Sequence, residues 1–421
     1  MIIKPFSAQF ELTERCSHRC AHCYNSFSHF AGSSVSSLEV VDAISKSDLF
    51  DITITGGEPL LERLVLRYSI ERFSEENMDV SINSNLYPLN FSDADFFSKN
   101  KVRSVLSSIL GPNESFHDSL TGVRGSFSKL ILSLNLLKEK DIPFSANMVI
   151  TKDNVSQVYN TGILLSKLGA RVFAATPAVL GGLNNLFDKV LSREEVVSML
   201  NDLLRVRAET GILVDTLHPL LPCMFDLNER GRYLEFYSNR YCVASSGTIA
   251  FSPNGNVRVC SHDRRIYGSI LSESLEDILP RMNKWKSEDF IPEKCGRCLF
   301  VKTCRGGCRV SAECFGGSMN SPDIYASGPI TENNFNDNLK MDLELTKLNV
   351  RPGNIRYRDE QSGLKSIYID SRANGTFDEN TFNIFRMFMA GKNYSEIAYS
   401  LDSPEFVASA TRLLASRGLL V

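Results

Sequence analysis

The stretch CSHRCAHCYN, residues 16–25, decides how the first half of this chain is interpreted. It places three cysteines and two histidines within eight residues. That density exceeds what core packing requires and indicates a metal or redox site. By spacing alone a structural zinc is possible, because His18 or His22 could join the three thiolates as a fourth ligand. An iron–sulfur cluster is also possible, and three thiolates would leave one iron available to a small molecule.

Strand and helix patterns alternate around this loop. Six β-prone runs are FSAQFEL, DITITG, DVSINSN, VRSVLSSI, FSANMVIT and ARVFAATP, and helical patterns lie between several of them. Such alternation predicts an α/β fold with a parallel sheet. Six units are too few for a closed eight-fold barrel, so we expect residues 1–215 to form an open, partial (β/α)6 TIM-like barrel. The cysteine loop and the motif GGEP, residues 56–59, each follow a strand, where active sites of such folds lie.

The composition excludes several classes of protein. The chain has 421 residues, enough for about two to three domains, and a net charge of -3, which predicts no nucleic-acid or acidic-membrane partner. The N-terminal stretch lacks a signal-peptide pattern, and no window approaches the length of a membrane span. We therefore expect a cytoplasmic protein. In a reducing cytoplasm the eleven cysteines are expected to serve metal or redox chemistry rather than disulfides.

The pairing of C-x3-C-x2-C after the first strand with GGEP after the second resembles the radical S-adenosylmethionine (SAM) superfamily. The resemblance covers about residues 1–215. It implies that Cys16, Cys20 and Cys23 ligate a 4Fe–4S cluster whose fourth iron chelates SAM. An electron from that cluster would cleave SAM to methionine and a 5′-deoxyadenosyl radical, which abstracts a hydrogen atom.

The same resemblance assigns a SAM site. Gly56, Gly57 and Glu58 belong to it, because a glycine-rich turn exposes its backbone to the SAM amino group. His22 stands where relatives often carry an aromatic residue near the adenine. Ser108 aligns with the serine of an SLDGP-like stretch, although leucine replaces the aspartate two residues later. The histidines at positions 18 and 29 are expected to be solvated loop residues.

A second series of eight cysteines lies between residues 223 and 314. Twelve residues separate Cys242 from Gly255, and four more precede Cys260. The others follow at spacings of two, five and three residues, with one beyond: Cys295, Cys298, Cys304, Cys308 and Cys314. The spacing is similar to that of the SPASM domain of radical SAM enzymes, which we assign to residues 216–318. A zinc ribbon would explain CGRC with another pair, but not the whole series.

This second resemblance implies two auxiliary 4Fe–4S clusters, and three clusters in total. One auxiliary cluster is expected to take Cys242, Cys260 and Cys308, with Cys223 as its upstream ligand. The other is expected to take Cys295, Cys298, Cys304 and Cys314. Together with the loop, this assignment uses all eleven cysteines. The alternative is that Cys223 is a buried structural cysteine, with the first auxiliary cluster open to substrate.

The composition changes after the last cysteine. Residues 319–347 are polar and rich in Asn and Ser, as in a linker. Residues 348–421 contain two alternating runs followed by three helical segments, which predicts a winged-helix-like α+β domain. From residue 351 onward nine basic residues face eight acidic ones, and this near-neutral balance argues against DNA binding. The element order resembles the PqqD-like leader-recognition domain, in which a leader peptide adds a strand to the sheet edge beside the third helix.

These resemblances together predict a maturase that modifies a ribosomally made precursor peptide, with a carbon–carbon, cyclophane-type crosslink as the expected product. A reducing partner such as flavodoxin or ferredoxin would supply the electron. Thioether formation is one alternative. A sulfatase maturase that forms formylglycine is another, and there an aspartate directly after the second auxiliary cysteine acts as base. Here Ser261 follows Cys260, so Asp263 is the candidate catalytic base. A different class would be an iron–sulfur redox sensor with a DNA-binding winged helix.

Overall fold

The structure is a computed structural model in which the chain forms two compact units. One unit is Ser7–Asn333, and the other combines Met1–Phe6 with Asn334–Val421. The described residues are 4–24, 34–181, 186–238, 241–331, 345–360, 363–370, 372–401 and 403–421. The histidine at position 29 lies outside these ranges.

A ten-stranded sheet forms the centre of the larger unit, in the order β10-β9-β8-β1-β2-β3-β4-β5-β6-β7. Its strands are β1 (Ser7–Glu11), β2 (Asp51–Thr55), β3 (Asp79–Ser84), β4 (Ser104–Ser108), β5 (Phe144–Ile150), β6 (Val172–Pro177), β7 (Leu213–Asp215), β8 (Thr248–Phe251), β9 (Asn256–Arg258) and β10 (Gly268–Ser269). Strands β1 to β7 pair in parallel, and β8 pairs in parallel with the free side of β1. Strands β9 and β10 are antiparallel additions.

The sheet contains more parallel strands than the six that the sequence predicts. The short β7 is a seventh strand in the series, and β8 adds another on the opposite side. Strand β8 comes from the part of the chain assigned to the SPASM domain. The sheet therefore continues across the boundary expected between residues 215 and 216, because β8 pairs with β1 through backbone hydrogen bonds that no hydrophobic pattern encodes.

Helices connect most of these strands, as alternation predicts. They are α1 (Leu38–Ser45), α2 (Arg63–Glu75), α3 (Phe91–Lys99), α4 (Glu114–Thr121), α5 (Ser126–Glu139), α6 (Val158–Leu168), α7 (Arg193–Thr210), α8 (Leu227–Arg232), α9 (Leu234–Ser238), α10 (Leu275–Met282), α11 (Val301–Cys304) and α12 (Arg309–Gly316). The start of α7 is set by a capping box in which Ser192 and Glu195 satisfy each other's backbone N–H groups. Among the helices that the structure describes, none has the length and apolarity to cross a membrane.

The two faces of the parallel sheet differ in polarity. On one face Phe10, Ile54 and Ile82 are fully buried. Most of the alternate positions are half-buried and polar, although Glu11 is buried, and Gln9 lies in register with Thr53 on the neighbouring strand. Since side chains alternate along a strand, the polar set shares one face. That face can line a polar binding site without leaving apolar surface in water.

The smaller unit contains a three-stranded antiparallel sheet in the order β11-β12-β13, followed by three helices. The elements are β11 (Ile355–Asp359), β12 (Lys365–Ile369), β13 (Arg372–Phe377), α13 (Glu379–Met389), α14 (Tyr394–Leu401) and α15 (Pro404–Ser416). Fully buried Phe385, Ile397 and Leu414 contribute one residue from each helix to a common core. This order leaves β13 at an edge of the sheet, and Asn374 joins it to the end of α15 by donating to the Arg417 carbonyl at 2.9 Å.

Residues near the N-terminus belong to this smaller unit. Arg358 on β11 is buried and donates to the carbonyls of Lys4 at 2.8 Å and Pro5 at 3.2 Å. Glu360 forms an ion pair with Arg358 at 2.9 Å and accepts the Lys4 N–H at 3.2 Å. A buried ion pair needs further hydrogen bonds to offset its desolvation, and the N-terminal backbone supplies them here.

Candidate functional site

The three cysteines of the first motif lie on the loop after β1. The Cys23 N–H donates to the Cys20 carbonyl at 3.1 Å, which turns the chain back on itself. Burial raises the pKa of the Cys20 thiol above its usual range, and the charges of Cys16 and Cys23 raise it further. The three thiols are therefore close enough to interact, so the structure brings together the side chains that the spacing grouped.

The GGEP turn after β2 packs directly against the backbone that leads into this loop. The Gly57 N–H donates to the Thr13 carbonyl at 2.7 Å, and the Glu58 N–H donates to the Arg15 carbonyl at 2.8 Å. A Cβ on Gly57 would lie 2.0 Å from the Arg15 carbonyl oxygen, and Gly56 has φ of +129°. The turn thus needs glycine because the cysteine loop passes against it, a reason that the motif alone did not show.

Glu58 joins two strand ends from a fully buried position. Its carboxylate accepts hydrogen bonds from Leu60 N–H at 3.0 Å and Ser84 Oγ at 2.8 Å through Oε1, and from Asn85 N–H at 2.7 Å through Oε2. Burial raises the pKa of Glu58 to about 7, while these donors act in the opposite direction. The carboxylate therefore fixes the loop after β2 against the loop after β3.

Asn85 is a site residue that the sequence analysis missed. Its side-chain amide donates to Ser17 Oγ at 3.0 Å and lies 3.8 Å from Cys16 Sγ. The His18 N–H also donates to Cys16 Sγ, at 3.4 Å. Hydrogen bonds to cluster sulfurs tune iron–sulfur centres, so these donors are suited to a ligating thiolate. The sequence could have indicated Asn85, because it is a polar residue directly after the third strand, at the same sheet edge as both motifs.

Histidines pack beside the cysteine loop. The prediction that His18 is solvated is wrong, since only 4% of it is exposed and its ring lies 5.6 Å from that of Tyr87. Burial lowers the pKa of His117 to about 4, and His18 adds to that effect. Burial likewise lowers the pKa of His22 to about 4. The imidazoles of His22 and His117 are therefore neutral near pH 7 and add no positive charge beside the thiols.

The stretch after β4 places its residues in two different environments. Ser108 ends β4, is half-buried, and lies in register with Asn147 of β5. Leu110 is fully buried, its N–H donates to His117 Nδ1 at 3.1 Å, and its carbonyl accepts from Asn154 at 3.2 Å. The leucine that replaces the expected aspartate is thus a core residue.

The later cysteines form two groups in the structure. In the first, burial raises the pKa of Cys308 above its usual range, and nearby Cys242 and Cys260 raise it further. In the second, four cysteines line one cavity: Cys223, Cys295, Cys298 and Cys304. A neighbouring cavity of about 210 Å³ is lined by both Cys242 and Cys304, which places the two groups side by side.

This grouping differs from the expected one at two positions. Cys223 lies with the second group rather than the first, and it raises the pKa of Cys295 and of Cys304, both already raised by burial. Cys314 is exposed near the end of α12 and is not among the residues that line either cavity in the described part of the chain. These two cysteines were assigned from the family resemblance, which does not record how distant segments of this chain pack.

Two residues that the sequence analysis did not single out support the auxiliary groups. Arg309, 3% exposed, donates to the carbonyls of Gly307 at 3.3 Å and Met319 at 2.7 Å, and also to those of Gly306, Phe290 and Ser321. Asp323 accepts the Cys308 N–H at 3.0 Å. The sequence could have indicated Arg309, because this arginine directly follows the CRGGC motif.

The donor chemistry of all three groups suits iron–sulfur clusters, which are held by cysteine thiolates. In one group four thiols line a single cavity, and in each of the other two groups nearby thiols raise the pKa of the most buried cysteine. Over the residues with described positions, no three His, Cys, Asp or Glu side chains are arranged as around a single metal ion.

Comparison with protein families agrees with this donor set. Residues 10–161 match the Radical SAM superfamily, and residues 242–299 match SPASM, an iron–sulfur cluster-binding domain. The chain carries both domains. A radical SAM domain with a SPASM domain implies 4Fe–4S clusters and SAM as cofactors, and the cysteine loop and the GGEP turn lie inside the first match.

Proteins similar to this chain include enzymes whose names indicate different reactions. The AdoMet-dependent heme synthase of Methanosarcina barkeri is 23% identical over 340 residues, which cover 75% of this chain and 94% of that protein. The PqqA peptide cyclase of Granulibacter bethesdensis is 25% identical over 338 residues, which cover 76% of this chain and 86% of that protein. The crystal structure of Streptococcus suis SuiB bound to precursor peptide SuiA has a TM-score of 0.63 at 15% identity, covering 77% of this chain and 76% of that one. This likeness shows a common fold.

Asp263, the candidate base, lies in the SPASM region beside Cys260. It is 2% exposed and forms an ion pair with Arg265 at 2.7 Å through Oδ1. Burial raises its pKa, while Arg265 lowers it. Its Oδ2 is buried without a hydrogen-bond partner among the described residues. One carboxylate oxygen is thus engaged, and the other is available to a proton.

Proposed function

We propose that this chain is a peptide maturase that abstracts a hydrogen atom from a ribosomally made precursor peptide and installs a carbon–carbon crosslink. The observation that carries the proposal is the combination of a radical SAM domain, a set of auxiliary cysteines and a separate C-terminal unit with a sheet edge. Similarity to a peptide cyclase supports a peptide substrate and ring closure as the reaction.

The proposed cofactors are SAM and three 4Fe–4S clusters. Cys16, Cys20 and Cys23 would hold the cluster that binds SAM. The cluster and SAM together would supply the radical that abstracts the hydrogen atom. His22, the GGE turn and Ser108 would surround SAM at the edge of the sheet. The auxiliary groups would hold the other two clusters, and a reduced flavodoxin or ferredoxin would supply electrons. Asp263 is the proposed acceptor of a substrate proton.

The C-terminal unit is the proposed docking site for the leader of the precursor. The edge strand β13 can pair with an extended peptide through its backbone. On α15, Phe406 and Leu413 are each 41% exposed, and positions seven apart lie on the same helix face. These two apolar side chains would contact the leader, which positions the core peptide without touching the reacting centre.

The test needs the precursor, which is sought as a short reading frame beside the gene and made as a synthetic peptide. Deletion of residues 334–421 should leave iron content and peptide-free SAM cleavage near the full-length values, because every cysteine lies before that point. Leader affinity and peptide turnover should both fall at least tenfold, which corresponds to about 1.4 kcal/mol.

A point variant avoids removing the whole unit. Phe406→Glu places a charge on the proposed leader surface and should weaken leader binding, measured by fluorescence anisotropy. Leu64→Glu on α2 is the matched control, because Leu64 is also an exposed apolar residue, at 72%. Equal leader affinities for the two variants would contradict leader docking on α15. Tight binding of promoter DNA would favour a redox sensor instead.

A second candidate function follows from the similarity to an AdoMet-dependent heme synthase. Its substrate would be a tetrapyrrole rather than a peptide. The reconstituted enzyme should then convert an iron-containing tetrapyrrole to heme in the presence of SAM, with a change in the visible spectrum. Turnover of the peptide without tetrapyrrole turnover would exclude this candidate.

A further inference from the structure

Cys223 and Cys314 both lie outside the cysteine groups that the SPASM resemblance implies for them. Cys223 lies on the short helical turn Pro222–Met224 and lines the cavity with Cys295, Cys298 and Cys304. Its carbonyl accepts a hydrogen bond from Ser327 Oγ. The following segment contributes Gly328 and Ile330 to the same wall. The turn and the segment that begins at Ser327 are thus hydrogen-bonded to each other and form part of the same cavity wall.

The other members of this cavity are fixed by local backbone structure. The Cys298 N–H donates to the Cys295 carbonyl at 3.0 Å, and both residues line the cavity. The Ile330 N–H donates to Cys298 Sγ at 3.4 Å. Cys304 ends α11, and Gly307 donates to its carbonyl at 3.0 Å. With Cys223, the cavity therefore has four thiols, the number that a fully ligated 4Fe–4S cluster takes.

Cys314 is separated from both groups by the geometry of α12. Cys308 is the N-cap of this helix, and Gly307, the residue before it, lines the neighbouring cavity together with Cys242. Cys314 follows six residues later, about 9 Å along the axis and rotated to another face. It is exposed, and its neighbour Glu313 forms an ion pair with Arg265 on the surface.

We propose that Cys223, and not Cys314, is the fourth ligand of the second auxiliary cluster, beside Cys295, Cys298 and Cys304. The first auxiliary cluster is then held by Cys242, Cys260 and Cys308 alone. One of its irons has no cysteine ligand and is open to a substrate heteroatom or a small anion. Cys314 is a free surface thiol. The inference rests on the three-cluster content proposed above.

Differential alkylation of the wild-type holoenzyme tests this assignment without a mutation. The anaerobic, reconstituted protein is treated with iodoacetamide, digested and analysed by mass spectrometry, before and after the iron is removed with a chelator. Cys314 should react in the holoenzyme, whereas Cys223 should react only after iron removal. Reaction of Cys223 in the holoenzyme, or protection of Cys314, would overturn the assignment.

Iron content gives an independent measurement. In a background with Cys16, Cys20 and Cys23 replaced by alanine, the protein should hold about eight irons in two clusters. Cys314→Ala should keep all of them, whereas Cys223→Ala should lose up to about four, and Cys223→Ser should restore part of the loss because serine oxygen can ligate iron. Loss of iron in Cys314→Ala, or full iron in Cys223→Ala, contradicts the proposal.

Mössbauer spectra of the same background with iron-57 test the open site. About one iron in eight should show a site without a thiolate ligand, and a spectrum of thiolate-ligated irons alone would overturn that part. These outcomes are separable from failure of the proposed function. A protein that binds no iron refutes the maturase, whereas about twelve irons with a protected Cys314 refutes only the ligand assignment.

Discussion

The loop cysteines and the auxiliary cysteines show two ways of assembling a cluster site. Cys16, Cys20 and Cys23 lie on one loop after β1, so their spacing alone brings their thiols together. The cavity of the second auxiliary group draws Cys223 from one segment and three cysteines from another far along the chain. The first arrangement can be recognised from sequence, whereas the second depends on how remote segments pack.

The supports of the two sites differ in the same way. The loop site is held by main-chain hydrogen bonds between residues 13–15 and the GGEP turn. The auxiliary region is held by a buried cation, Arg309, that gathers carbonyls from three separate stretches of chain. A substitution that adds bulk at the GGEP turn disrupts the main-chain contact. Removal of the Arg309 side chain disrupts the auxiliary region. Substitutions at the two sites should therefore have distinguishable effects.

The largest expected effect tests the independence of the loop site. Replacing Cys16, Cys20 and Cys23 with alanine should abolish SAM cleavage and remove about four of about twelve irons, measured by high-performance liquid chromatography and iron assay. The control is Cys242→Ala in the auxiliary region, which should leave peptide-free SAM cleavage intact. Loss of SAM cleavage in that control would show that the two regions do not act separately.

The next effect tests the close approach of the GGEP turn. Gly57→Ala places a Cβ 2.0 Å from the Arg15 carbonyl oxygen, so the cysteine loop must move. SAM affinity and cleavage should fall at least tenfold, and about four irons should be lost more readily on dilution. The matched control is Gly231→Ala, at a glycine whose added Cβ has no neighbour within 4 Å. Equal SAM binding by the two variants would contradict a role for this contact.

A smaller effect is expected from removing the buried guanidinium of Arg309 in the auxiliary region. Arg309→Met leaves several buried carbonyls without a donor, at a cost of about 3 kcal/mol in the free energy of unfolding. Auxiliary iron should be lost while the loop cluster and peptide-free SAM cleavage remain. Arg297→Met, at an exposed arginine, serves as the control. Thermal denaturation together with iron analysis would reveal the difference, and parallel loss of iron from the loop and from the auxiliary region would argue against a local role for Arg309.

The smallest effect concerns the buried histidine beside the loop. Burial lowers the pKa of His117 to about 4, so it stays neutral in the folded chain while an unfolded histidine takes up a proton near pH 6.5. Its contribution to stability is complete above about pH 6.5 and is lost as the pH falls toward 4. From pH 8 to pH 6 the wild type should lose about 1 kcal/mol more than His117→Gln, which keeps an acceptor for the Leu110 N–H. Urea unfolding at both pH values measures this, and identical losses would show that His117 is protonated in the folded state.

Several features could be found only in the structure, because each depends on contacts between distant segments of the chain. Strand β8 extends the sheet beside β1, so the first two predicted domains share one compact unit. His18, expected in solvent, is buried, and its ring packs beside that of Tyr87 on the loop after β3. Hydrophobic periodicity records which face of an element is buried, but not which distant element covers it.

By itself, the sequence determined the cysteine loop, the GGEP turn and the alternation of strands and helices. These features depend on residues that are only a few positions apart, and such residues are necessarily close in space. Only the tertiary structure decided that Cys223 joins Cys295, Cys298 and Cys304, and that Arg358 holds the backbone of residues 4 and 5. Such contacts join positions that the chain leaves far apart, and they exist because packing of the whole unit brings those segments together.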